Sequence, residues 1–223
     1  MKALLLTLCL LLCSCATPSP WQQEQELRDL LPGTEICLLD IPAPVAAEIV
    51  RAVRYCKDNY PPAVQYIREI KSDYAMTHKS TFPVSYYAYT NIAMLNPYNS
   101  IVFNDALLQS LTSIRAQYKT DEWRGLLTPV PRNQEMFALT LHELAHVLTA
   151  NLRLHNDVDI IKLYQLAQAE AANGVTFASN ARLNVLEFIS ECFVDGVCNG
   201  ERASGISQSV MKRIQAKLGA SNG

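Results

Sequence analysis

Residues 139–148 read LTLHELAHVL, and no other stretch constrains the fold of this chain as much. Thr140, Leu141, Leu144, Ala145, Val147 and Leu148 leave a helix here without charge on any of these sides, and no proline interrupts residues 133–152. The segment is therefore predicted to be a helix buried in a core. On a helix, residues four apart share a face, so His142 and His146 can address a single ion while Glu143 stands beside them. The competing reading is a pair of helix histidines hydrogen-bonded to their surroundings. What decides between them is whether the chain supplies a third ligand, a compartment and a place for a substrate.

The compartment is written in the first twenty residues, MKALLLTLCLLLCSCATPSP. One early cation, Lys2, precedes an apolar run from Ala3 to Leu12 and then small residues, the layout of a secretory signal peptide. The run is too short for a permanent membrane span. Its end, Leu12-Cys13-Ser14-Cys15, resembles a bacterial lipobox, with Ser14 before the cysteine that is lipidated after cleavage. The expected organisation is a signal peptide over 1–14, a lipidated Cys15 opening a tether over 15–20, and one domain over 21–223. The location that follows is the cell envelope, lipid-anchored and facing periplasm or exterior. In a Gram-negative cell it is the outer membrane, because Ala16 replaces the aspartate associated with inner-membrane retention.

Some 200 residues remain after the leader, enough for one domain with a substantial core. The net charge of −2 offers no basic footprint, which argues against a nucleic-acid partner. Four cysteines lie beyond the lipobox: Cys37, Cys56, Cys192 and Cys198. Outside the cytoplasm these can oxidise, and Cys37 with Cys56 and Cys192 with Cys198 are candidate pairs among three connectivities. Four buried free thiols is the other reading.

Apolar periodicity predicts helices over 21–31, 44–58, 63–74, 133–152, 157–172, 180–197 and 206–218. In the last, Ile206, Val210, Ile214 and Leu218 recur every four residues as a docking stripe. TFPVSYYAYTNIAML reads as strand, and NSIVFNDALL as a short strand, Ile101 to Phe103, entering a helix near Asp105. Helices around a small mixed sheet give an α+β fold.

A catalytic zinc site needs a third protein ligand and an open position. Thr149 and Leu152 stand where a metzincin carries its glycine and third histidine, which excludes that branch. NVLEFISECFVDG instead offers Glu187 and Glu191 on one face of an apolar helix, with Asp195 a turn further on. Buried acidic residues on such a helix are costly without a cation to meet them. Glu191 with Asp195 makes a second ExxxD register that moves the third ligand by one turn.

HELAH followed about forty residues later by SNARLNVLEFISECF resembles the catalytic region of the anthrax lethal factor-like metallopeptidases, a gluzincin family that includes secreted Pro-Pro endopeptidases. The resemblance covers about residues 133–195. It implies a zincin-like domain with one Zn²⁺ per chain held by His142, His146 and Glu187, and Glu191 behind a ligand histidine, fixing its orientation. One position departs from the family. Asn180 stands seven residues before Glu187, where the family has a tyrosine whose hydroxyl stabilises the oxyanion. Asn180 is the candidate stabiliser here, with Arg182 and Tyr98 as substitutes.

The activity implied is hydrolysis of peptide bonds in an extracytoplasmic protein by a zinc-activated water, with Glu143 as general base. Zincins lay substrate along a sheet edge, and SIVFN, residues 100–104, is the expected edge or else a core strand. The alternative function is a zincin-fold lipoprotein that binds an envelope partner without cleaving it.

Overall fold

A computed structural model of the chain describes residues 19–73, 87–92, 99–173 and 178–221. The expected signal peptide, Cys15 and most of the expected tether lie outside the described residues. The tether's last two residues belong to the first helix, α1 (Pro20–Leu30), as its cap and first residue: Ser19 and Gln22 form a capping box, and Pro20 supplies a helical φ without a wasted donor. After α1 come β1 (Glu35–Cys37), α2 (Ala43–Asn59), β2 (Ile67–Ser72), β3 (Ala88–Ile92), β4 (Asn99–Phe103), α3 (Leu111–Trp123), α4 (Glu135–Leu152), α5 (Val158–Ala172), α6 (Val185–Asn199) and α7 (Gly205–Ser221). The fold is α+β, as expected: seven described helices around a small mixed sheet.

The sheet order is β1-β2-β4-β3, with β1, β2 and β4 parallel and β3 antiparallel to β4. Helix α4 carries the HELAH residues through the middle of the molecule, packed against α2, α3, α6 and β3. Fourteen of its eighteen residues are buried, which is why its sequence is apolar nearly all round. Helix α7 docks through the expected stripe, Val210 and Ile214 being fully buried and Ile206 and Leu218 nearly so, and it packs on α5 and α6.

Four expectations are corrected. The region predicted as a helix over 63–74 is a three-residue 3₁₀ turn, Pro61–Ala63, followed by strand β2. Ile67 pairs with Asn99 and Glu69 with Ser100, so Arg68 is a bulge in the ladder. The extra residue puts Ile67 and Ile70 both on the buried face, and a strand thereby shows the three-residue spacing of a helix.

The helix expected near Asp105 begins at Leu111 instead. Asn104 Oδ1 accepts from Ala106 N (3.2 Å), holding a turn, and Ser110 caps α3 by accepting from Ser113 N (3.0 Å). The helix expected over 180–197 is divided into a 3₁₀ turn, Asn180–Arg182, and α6. Asn184 causes the division, its Oδ1 accepting from Leu186 N and Glu187 N at 2.9 and 3.0 Å.

The four described cysteines are free thiols, so neither expected disulfide is present. Cys192 and Cys198 lie on one helix six residues apart, a rise of about 9 Å, beyond the roughly 7 Å that a bridge spans. Cys37 is exposed on β1, whereas Cys56 is buried in α2. Burial pushes the Cys198 thiol up to about 12 and those of Cys56 and Cys192 higher still.

Candidate metal centre

The side chains singled out on two distant stretches of sequence meet where α4 packs against α6. His142 Nε2 lies 3.0 Å from Glu187 Oε2, and His146 Nε2 lies 3.5 Å from Glu187 Oε1. One ligand atom from each of the three residues falls within 4.8 Å of the others. The imidazoles stand 4.9 Å apart at 79°, so their Nε2 atoms converge without the rings stacking. Glu187 owes its position to Asn184, since α6 begins just before it and the carboxylate leaves the first turn, where the helix dipole favours negative charge.

The opposite edges of both rings are also held. His142 Nδ1 lies 3.3 Å from Glu191 Oε1. The other oxygen of Glu191 accepts from Thr128 N (2.9 Å) and Thr128 Oγ1 (2.5 Å), so this buried carboxylate is satisfied on both sides. His146 Nδ1 lies 3.3 Å from Ser190 Oγ. Asp195, the alternative partner in the second register, instead accepts from Asn199 Nδ2 (2.8 Å) and Ser204 N (2.9 Å), closing the turn after α6. Of the two glutamates, Glu187 faces both histidines.

Electrostatics follow the same geometry. Burial would depress the His142 pKa, but hydrogen bonds to Glu187 and Glu191 outweigh it and raise the pKa well above the usual value. Carboxylates at both nitrogens favour its doubly protonated form. Burial and the neighbouring His142 charge lower His146 to about 4, leaving it neutral. Burial opposes ionisation of Glu187, yet its hydrogen bond to His142 prevails and the carboxyl falls to about 2. Two imidazole nitrogens, each ring held from behind, and one carboxylate are a donor set that fits Zn²⁺.

Glu143 lies beside this cluster at 7% exposure, and burial raises its pKa. Its carboxylate accepts from Thr90 Oγ1 at 2.7 Å. The cluster opens into a cavity of about 540 Å³ whose walls include Tyr89, Thr90, Leu139, Asn180 and Leu186. The wall strand is β3. Residues 100–104, expected as an edge or else a core strand, take the second form: they belong to the interior strand β4, with Ile101, Val102 and Phe103 at 1% exposure, and β3 is the outermost described strand on that side.

Asn180 lines the cavity, from the separate turn before α6 rather than from α6 itself. Arg182 is exposed, and Tyr98 lies outside the described residues. Three other tyrosines line the cavity. Tyr87 donates to Asp121 Oδ2 and Tyr118 to the Thr128 carbonyl, each at 2.8 Å, while Tyr89 is 42% exposed.

Sequence reasoning missed Thr90 and Thr128, which come from a strand and a loop without a motif of their own. It also passed over Ser190, although that residue stands inside the EFISECF string. No protein-family model matches the chain, and comparison with curated proteins and with solved structures gives no significant match.

Proposed function

We propose that this protein is a zinc-dependent endopeptidase of the gluzincin type, related to the anthrax lethal factor-like metallopeptidases, acting on protein outside the cytoplasm. The observation that carries the reading is the convergence of His142, His146 and Glu187 beside Glu143 on the wall of an open cavity. His142, His146 and Glu187 would hold the ion, and Glu191 and Ser190 would orient the imidazoles. Zinc, when bound, supplies a positive charge that acidifies a water and polarises a carbonyl.

Glu143 accepts the proton of the attacking water and passes it to the departing amine. The peptide lies extended along β3, the outermost described strand on that side, and bonds to its main chain. Asn180 donates to the carbonyl oxygen as negative charge gathers there. Glu143→Gln tests the reading. The variant is expected to keep its fold and its zinc while losing cleavage of a peptide that the native protein hydrolyses; full cleavage would refute a role for Glu143 as base.

A second reading is a zincin-fold lipoprotein that binds an envelope partner without cleaving it. It draws on Asn180, whose amide is shorter than the tyrosine of the family and sits on a turn separated from α6. Asn180→Tyr discriminates. A gain in cleavage supports a weakened peptidase, whereas a native function that survives Glu143→Gln supports binding alone. The leader is proposed to anchor the protein by acyl chains at Cys15, which mass spectrometry of the mature N-terminus would detect.

A further inference from the structure

A row of four residues crosses the sheet on the face toward α4: Ile36, Ile70, Ile101 and Thr90. The three isoleucines are at 4% exposure or less, and only the end of the row, on β3, carries a hydroxyl. Valine has nearly the same shape as threonine, so packing does not require the oxygen. That oxygen lies 2.7 Å from Glu143 Oε2 and 3.1 Å from the Glu143 carbonyl. A hydroxyl has one proton to donate, and the carboxylate is both the nearer and the stronger acceptor. Among the described residues no other hydrogen bond reaches the Glu143 side chain.

A glutamate has three side-chain torsions, and holding it in one geometry costs rotamer entropy. Threonine is stiff at χ1, and here its backbone is locked in a sheet. It is a short rigid arm reaching a long flexible one.

We propose that Thr90 is the positioning residue for Glu143, its hydroxyl anchoring Oε2 so that Oε1 exchanges the proton; this rests on the metallopeptidase reading. The strand that seats the substrate through its main chain thereby sets the base through a side chain. The two tasks separate cleanly. Replacing the hydroxyl leaves the β3 backbone intact, so substrate affinity should hold while turnover falls.

The experiment compares full-length wild type, Thr90→Val, Thr90→Ser and Glu143→Gln. In metal-free protein with ¹³C-labelled glutamate, side-chain relaxation reads the order of Glu143. Thr90→Val is expected to lose that order and Thr90→Ser to keep it; order unchanged in Thr90→Val overturns the proposal. With a quenched fluorescent peptide cleaved by the wild type, Thr90→Val should lower kcat by about ten- to a hundredfold with KM within about twofold, and Thr90→Ser should restore most of it. Equal kcat in Thr90→Val also overturns it. If Glu143→Gln cleaves as well as wild type, the metallopeptidase reading falls, and the relaxation comparison still decides whether Thr90 holds Glu143.

Discussion

His142 is held between two carboxylates, one on each ring nitrogen, and this sets what zinc must displace. Hydrogen bonds to both carboxylates favour the protonated ring, so an ion that takes Nε2 competes with a proton there. Zinc binding near neutral pH is predicted to release about one proton from this ring and to strengthen as pH rises. Titration calorimetry in buffers of different ionisation enthalpy measures that release; no proton release would contradict a protonated His142 ring. Glu191→Gln keeps the shape but weakens the grip on Nδ1, and zinc affinity should fall by about ten- to a hundredfold, whereas Glu187→Ala should lose the metal. Zinc retained by the second and lost from the first would make Glu191 the ligand.

Asp157 shows the same balance with the charges exchanged, a carboxylate kept charged by cationic partners. It caps α5 and accepts from Arg213 Nε and Nη2 and from Lys217 Nζ, at 2.8–3.1 Å. These bonds hold its carboxyl well below the usual range. A depressed folded pKa contributes stability above the unfolded value, about 3.9, and that contribution fades as pH falls from there toward the folded value. Asp157→Ala should cost about 2–4 kcal/mol at pH 7, and the cost should shrink below pH 4. Urea unfolding at pH 7 and pH 3 measures both; an equal loss at the two pH values would contradict the charge-based account.

Among the elements, α6 joins the site to the rest of the fold. Its Gly196 faces α7 so closely that an added Cβ would come within 2.3 Å of Met211 Cγ. Gly196→Ala is predicted to destabilise by about 1–3 kcal/mol through overpacking, and Met211→Ala in the same chain should recover part of it. Chemical denaturation checks the pair; a neutral single variant would mean that the helices separate without cost.

The central elements were legible because burial dictated their sequences. Helix α4 could be read from an uncharged run, and α7 from a stripe of four apolar residues. The shared face of His142 and His146 was legible too, since i, i+4 spacing carries over directly to one side of a helix. Strand β2 was not, because the Arg68 bulge gives it helical spacing. The division before α6 depended on Asn184, a capping residue that sits inside an apparently continuous pattern. The choice between edge and core for residues 100–104 stayed open because strand order in a sheet is set by long-range pairing, which local sequence does not encode. Thr90 and Thr128 went unseen for the same reason, as partners 53 and 63 residues from the glutamates they hold.

At the scale of the whole molecule, the site ties together the two helices that build its middle. His142 and His146 come from α4 and Glu187 from α6, so an ion held by all three clamps one to the other. A ligand that binds only the folded state stabilises it by mass action, about 4 kcal/mol at a thousandfold excess over Kd. Chelation should therefore lower the melting temperature of the native protein and leave that of His146→Ala unchanged. No described helix is long and apolar enough to cross a membrane.

The most direct test of the central claim is the zinc content of purified full-length protein, measured beside His146→Ala and Glu143→Gln. One zinc per chain is predicted for the native protein and for Glu143→Gln, with none in a folded His146→Ala. A folded native protein that takes up no zinc would contradict the account, leaving His142, His146 and Glu187 as a hydrogen-bonded cluster between two helices.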